Sequence, residues 1–172
     1  GVGYAFAEQI DVVLAALAAR STATEGPVVF AMSALQRRMW LLNQLTPGDP
    51  SYHVPVLREV VGPVDIRQLR RAVTEVVGRH EILRTTYRQL DDLLVQVVHD
   101  WLPPEFLEHD ARDGSFDDAL SVARDLAARP FALDAGPVVR TAVVRVAHDH
   151  WLLLVCAHHI TLDGWSVDRL VK

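Results

Sequence analysis

Trp151-Leu152-Leu153-Leu154-Val155-Cys156-Ala157 is an unbroken apolar run that ends abruptly at His158-His159. It is too short to span a bilayer and carries no helical periodicity, so it reads as a strand buried on both faces. Upstream, Pro137 to Ala147 is a second β-rich run, separated from the first by the polar turn His148-Asp149-His150. A strand apolar at every position requires a sheet with neighbours and cover, which makes this pair of runs the centre of the fold.

Outward from that centre the chain alternates helix and strand. Ser33 stands at the N-cap position of a helix running to Leu45, with Met39, Leu41, Leu42 and Leu45 as its apolar stripe and Thr46-Pro47-Gly48-Asp49-Pro50 as its stop. Tyr52 to Val61 reads as a strand, placed at an edge or bulge by Pro55. Asp65 caps a helix bearing Ile66, Leu69, Val73, Val76 and Val77. Leu83 to Leu90 and Leu93 to Val98 form a hairpin around Asp91-Asp92, and a helix follows from Phe116 to Ala128. The expected fold class is α/β (α+β), a two-layer sandwich with a mixed sheet and the helices packed on one face. Residues 1–26 read as a separate element, an Ala- and Leu-rich helix over Ala5 to Ala19 followed by a polar linker. From Trp165 to Lys172 a helical pattern restarts.

The composition narrows the function. The chain has 172 residues, half of them hydrophobic, with 17 basic and 22 acidic side chains for a formal charge of −5. No Lys/Arg block is present, so nucleic acid is not an expected class of partner, and no apolar segment is long enough for a membrane span. A single cysteine excludes an internal disulfide framework, and the N-terminus lacks the pattern of a secretory signal, so the cytoplasm is the expected compartment.

The chemistry-bearing stretch is Ala157-His158-His159-Ile160-Thr161-Leu162-Asp163-Gly164-Trp165-Ser166. Two histidines sit where a buried strand leaves its sheet, the place where α/β folds keep reactive groups. Histidine exchanges protons near neutral pH, Asp163 can neutralise or orient a cation, and Gly164 permits a backbone path closed to other residues. Adjacent strand residues point to opposite faces, so only one of the two rings can face a given cavity.

His-His, three residues, then Asp-Gly-Trp-Ser resembles the core motif of condensation domains of nonribosomal peptide synthetases, within the chloramphenicol-acetyltransferase-like superfamily. Three further stretches agree in order. Ser33 to Leu42 (SALQRRMWLL) resembles the first condensation-domain motif. Arg79 to Tyr87 (RHEILRTTY) resembles the second. Phe131 to Arg140 (FALDAGPVVR) has the family's character. The resemblance covers 27–172 and implies the N-terminal lobe of a two-lobed domain, with the C-terminal lobe absent and the active site in a tunnel between lobes. It implies amide-bond formation between a donor acyl or peptidyl thioester and an acceptor aminoacyl thioester. Both are delivered on the phosphopantetheine arms of donor and acceptor peptidyl carrier domains in adjacent synthetase modules, with no cofactor bound directly. His159 is then the catalytic group, as general base or as positioner of the amine. His158 is structural. Asp163 is paired with Arg84. Gly164 and Trp165 contact the oxyanion or the tunnel, Trp165 and Ser166 reading equally as packing and capping. The 172-residue chain alone is expected to be inactive.

Three other readings stand beside this one. Cys156 and a histidine suggest a Cys-His acyltransferase, although a thiol within an apolar strand is usually an inert small hydrophobe. A zinc site would draw on His148, His150, His158, His159 and Asp163. At roughly 3.3 Å per residue, though, the strand holds His150 and His158 about 26 Å apart, and no metal is assigned. A condensation-like domain that only docks a carrier is the non-catalytic alternative.

Overall fold

The structure is a computed structural model, and it describes residues 26–162. The expected helix of residues 5–19, the motif residues Asp163, Gly164, Trp165 and Ser166, and the helical pattern ending at Lys172 lie outside the described residues. In chain order the elements are β1 (Val28–Ala31), α1 (Ala34–Leu45), β2 (His53–Val61), α2 (Ile66–Arg79), β3 (Thr85–Leu90), β4 (Leu93–Val98), β5 (Glu105–Asp110), α3 (Phe116–Ala128), β6 (Val139–Ala147) and β7 (His150–His158). Single turns of 3₁₀ helix cover Pro50–Tyr52 and Glu81–Arg84, so the expected strands beginning at Tyr52 and Leu83 start slightly later.

Each helix begins where side-chain chemistry dictates. Ser33 accepts from the Gln36 amide at 3.2 Å while Gln36 Oε1 accepts from the Ser33 amide at 2.8 Å. Ser115 and Asp118 make the same reciprocal pair at α3, and Asp65 takes the amides of Arg67 and Gln68 at α2. These contacts satisfy amides that a helix start leaves open.

The strands form two sheets, β1-β4-β3 and β2-β7-β6-β5. Among the described residues only β5 and β6 run parallel; the other pairs are antiparallel, so the larger sheet is mixed. β7 lies inside the larger sheet and β2 at its edge, where Pro55 costs no ladder hydrogen bond. The α/β class with a mixed sheet is thus as expected. The helices, expected together on one face, are not. β7 alternates Leu152, Leu154 and Cys156 toward one face with Trp151, Leu153 and Val155 toward the other. Ala119 and Ala123 of α3 pack on Leu152 and Val144, whereas Ile66, Leu69 and Val73 of α2 pack with Trp151, Val143 and Leu153. The two helices therefore take opposite faces. The physical reason is β7 itself: a strand apolar at every position from Trp151 to Ala157 needs apolar cover on both sides. Cover by α2 is looser, and a cavity of about 240 Å³ lies between it and Val139, Thr141, Leu153 and Val155.

The α1 stripe needs a second correction. Met39 is buried, but Leu41 is 50% and Leu45 76% exposed. The inward face of α1 is set by Met39 and Trp40, which join Met32, Tyr87, Leu154 and Cys156 in the largest core cluster. Two strands escape a reading of the sequence. β1 is a four-residue strand, and β5 (Glu105-Phe106-Leu107-Glu108-His109-Asp110) is mostly polar because it is an edge strand whose end faces solvent. No helix among the described residues is long and apolar enough to cross a membrane.

The loop between α3 and β6 joins the two sheets. The Tyr87 amide of β3 donates to Leu133 O at 2.7 Å and the Gly136 amide to Ala132 O at 2.7 Å. Gly136 has φ +68°, and a Cβ there would lie 2.9 Å from Leu102 Cδ2 and 3.1 Å from Thr86 Cγ2. Gly136→Ala is therefore expected to destabilise the chain by about 1–3 kcal/mol through strained backbone and contact, read as a lowered thermal unfolding midpoint. An unchanged midpoint would show that the loop yields.

Candidate functional site

The site is built where β7 leaves the larger sheet. His158 is its last residue and pairs in register with His53 at the start of β2. The His158 amide donates to Val138 O at 3.0 Å, and the His159 amide donates to Tyr52 O at 2.8 Å, so both neighbouring strands grip the exit. The chain then turns: the Thr161 amide donates to His158 O at 3.0 Å. Ile160 plugs the core at 4% exposure, and Thr161 Oγ1 lies 3.5 Å from the hydroxyl of buried Tyr87.

The two rings have different surroundings. His158 is fully buried and packed by Tyr52, His53 and Phe131, with ring centroids 6.4, 6.0 and 6.3 Å away. Its Nδ1 accepts the Ile160 amide at 3.1 Å, which places the neutral ring's proton on Nε2. Burial, with the neighbouring His53 and His159 adding to it, lowers its pKa to about 4, so it is neutral at physiological pH. His158 thus acts as a hydrogen-bond acceptor that holds the turn. His159 is partly exposed on that turn, and its Nδ1 is buried without a hydrogen-bond partner among the described residues. The pair separates as the strand alternation requires, one ring into the core and one out of it.

Of the other expected site residues, Arg84 is described and Asp163, Gly164 and Trp165 lie outside the described residues. Arg84 ends the 3₁₀ turn before β3. Its Nη1 donates to His99 O, its Nη2 lies 3.5 Å from Glu81 Oε1, and its buried Nε has no hydrogen-bond partner among the described residues. Cys156 is fully buried in β7. Its thiol is pushed up to about 11, mainly by burial, and its Sγ is turned toward Ala127 O at 3.6 Å. A thiol so placed is a poor nucleophile. His148 and His150 stand at the far end of β7 from His158 and His159, with His150 Nε2 2.6 Å from Glu59 Oε1.

Sequence reasoning does not reach His53, Phe131 and Arg140 as members of the site. His53 Nδ1 lies 2.8 Å from Ala127 O, and burial is the main cause of its lowered pKa. A histidine opening a strand of mixed burial gives no signal; only the β2–β7 register puts it beside His158.

The Condensation domain family model matches residues 28–172. Chondramide synthase cmdD from Chondromyces crocatus is 37% identical over 150 residues, covering 84% of this chain and 4% of the relative. Surfactin synthase subunit 2 from Bacillus subtilis is 36% identical, covering 83% of this chain and 4% of the relative. Among solved structures, the starter condensation domain of rhizomide synthetase RzmA superposes with a TM-score of 0.78 at 25% identity, over 84% of this chain and 35% of that one. The chain therefore spans a small fraction of its synthetase relatives and about a third of the solved domain.

The neutral His158 has a consequence for stability. In the unfolded chain it protonates near 6.5 and in the folded chain near 4. Between these values unfolding takes up a proton, so stability is fully present above about pH 6.5 and falls as pH drops toward 4, by on the order of 3 kcal/mol from this residue. His53 adds in the same direction. Urea unfolding from about pH 7 to about pH 4 should show this slope, and His158→Asn, which keeps an acceptor for Ile160, should flatten it. A slope unaltered in His158→Asn would remove His158 as its source.

Proposed function

This chain belongs to the condensation-domain family, and from that premise we propose that residues 27–172 form the N-terminal lobe of a domain that makes amide bonds between carrier-bound thioesters in nonribosomal peptide synthesis. The span of 35% of the solved domain supports one lobe of two, with residues 1–26 as a helical linker ahead of it. The observation that carries the reading is the turn after β7: the buried His158 ring holds it through Nδ1, its Nε2 having no hydrogen-bond partner among the described residues, and the partly exposed His159 stands at the outer side.

On this reading the acceptor amine attacks the donor thioester carbonyl. The C–N bond forms, the carbonyl becomes an oxyanion, and its collapse breaks the C–S bond and releases the donor arm's thiol. His159 positions the amine and takes its proton as the new bond forms. His159 then passes that proton to the departing sulfur, which leaves as the thiol. Asp163 holds the loop through Arg84, whose buried Nε is available to a carboxylate, and Gly164 and Trp165 border the reacting carbonyl. The substrates arrive on phosphopantetheine arms of donor and acceptor carrier domains of adjacent modules, in the cytoplasm. Arrangements of this kind need charge stabilisation as well as base catalysis, and the second lobe supplies the other tunnel wall.

The test is a dipeptide assay between two loaded carriers, read by mass spectrometry of the acceptor arm, in a complete two-lobed domain carrying this lobe. His159→Ala should cost about 10²–10⁴-fold in rate, and the 172-residue chain alone should give no product. His158→Ala should act through poor folding. Folded His159→Ala with wild-type turnover would end the assignment. Asp163→Asn should destabilise by roughly 3–5 kcal/mol if it breaks a buried pair.

A further inference from the structure

We infer that Arg140 is a positioning residue for the His158–His159 turn, acting through Phe131 and through the carbonyl groups at the end of α3; the inference rests on the reading that His159 does the chemistry. Arg140 is 2% exposed, on the face of β6 that looks toward α3. A buried cation persists only where its donors are satisfied, and this one is satisfied on several sides. Nε donates to Glu105 Oε2 at 2.7 Å, Nη1 to Leu126 O at 2.8 Å and Arg129 O at 2.9 Å, and Nη2 to Pro130 O at 3.3 Å. A helix leaves its last carbonyls without partners. One guanidinium gathers three carbonyls around the end of α3, and His53 takes the Ala127 carbonyl.

The same guanidinium stacks 4.5 Å over the Phe131 ring. Phe131 in turn sets its edge against His53 at 4.8 Å and His158 at 6.3 Å. Register explains the convergence. Arg140 pairs with Cys156, His158 lies two residues on along the same face of β7, and His53 pairs with His158. Arg140 therefore fixes the plane of Phe131 and the carbonyl platform that orients His53, and these two rings wall His158. The orientation of His158 decides whether Nδ1 meets the Ile160 amide, and so where His159 is presented. Lysine cannot substitute, since a point charge has neither the fork nor the stacking plane.

The experiment uses the 172-residue chain labelled with ¹⁵N-histidine, with long-range ¹H–¹⁵N spectra reporting which ring nitrogen of each histidine carries the proton. The variants are Arg140→Lys and Phe131→Leu. The control is Arg70→Lys, an arginine also stacked on a phenylalanine and paired with a glutamate, but on α2, which covers the other face of the sheet. Arg140→Lys and Phe131→Leu should each move the ring signals of both His53 and His158 and raise the pH at which His158 titrates; the control should move neither. In a complete domain Arg140→Lys should lower kcat about 10- to 100-fold while KM for the loaded carriers stays within about twofold. Folded Arg140→Lys with unmoved His53 and His158 signals, or with a kcat loss no larger than the control's, overturns the inference. If Arg140→Lys does not fold, Phe131→Leu decides by the same readouts. If the signals move as expected while His159→Ala keeps its activity, the functional reading fails and the positioning of the turn stands.

Discussion

Everything in the larger sheet depends on the demand that β7 makes. Seven successive apolar residues cannot leave either face of the strand to water, so the fold must cover both. α3 packs on Leu152 and Val144, and α2 packs on Trp151 and Leu153. β2 and β6 saturate both hydrogen-bonding edges of β7. A strand enclosed on four sides is rigid, and its end is a fixed point from which a turn can be launched. That is why the histidine pair sits where apolar sequence stops: the first ring is still inside the enclosure and the second is just past it.

Much of this is legible in the sequence, and what is not legible has a common cause. Helix starts at Ser33, Asp65 and Ser115 are local chemistry, since the capping side chain and the amide it serves lie within three residues. β7 announces itself by seven successive apolar residues, and the hairpin by Asp91-Asp92, where Asp91 takes φ +52°. β5 stays hidden because an edge strand with one wet end has no alternation to read. The sequence does not separate the helices onto two faces because a helix stripe says that a face exists, not which sheet face it meets. Leu41 and Leu45 are four residues apart and share one helix face, but at about 100° per residue that face lies nearly opposite Met39 and looks to solvent.

The site divides along the same line. His158 and His159 are found by contiguity and by likeness to a known motif, and so are Asp163 and Gly164. His53 and Arg140 lie more than 100 and nearly 20 residues before His158 in the chain, and neither stands beside a motif histidine in sequence. Only strand register brings them together, and a pairing register is a property of the sheet. Buried polar side chains are the trace such groups leave: Arg140 and His158 are among the few polar residues in an otherwise apolar interior.

Those few groups are also complementary in state. Burial first, then His53 and His159, oppose protonation of His158, and the Arg140 charge helps to lower His53 beside it. A neutral His158 is what the turn needs, since a protonated Nδ1 cannot accept the Ile160 amide. The Arg140 guanidinium is answered by Glu105 and three carbonyls, and it stacks on Phe131 beside His158. Water entry would stabilise a charged His158 and so cost the turn its hydrogen bond. The apolar enclosure that fixes the strand end therefore also fixes the protonation state on which the geometry of His159 depends.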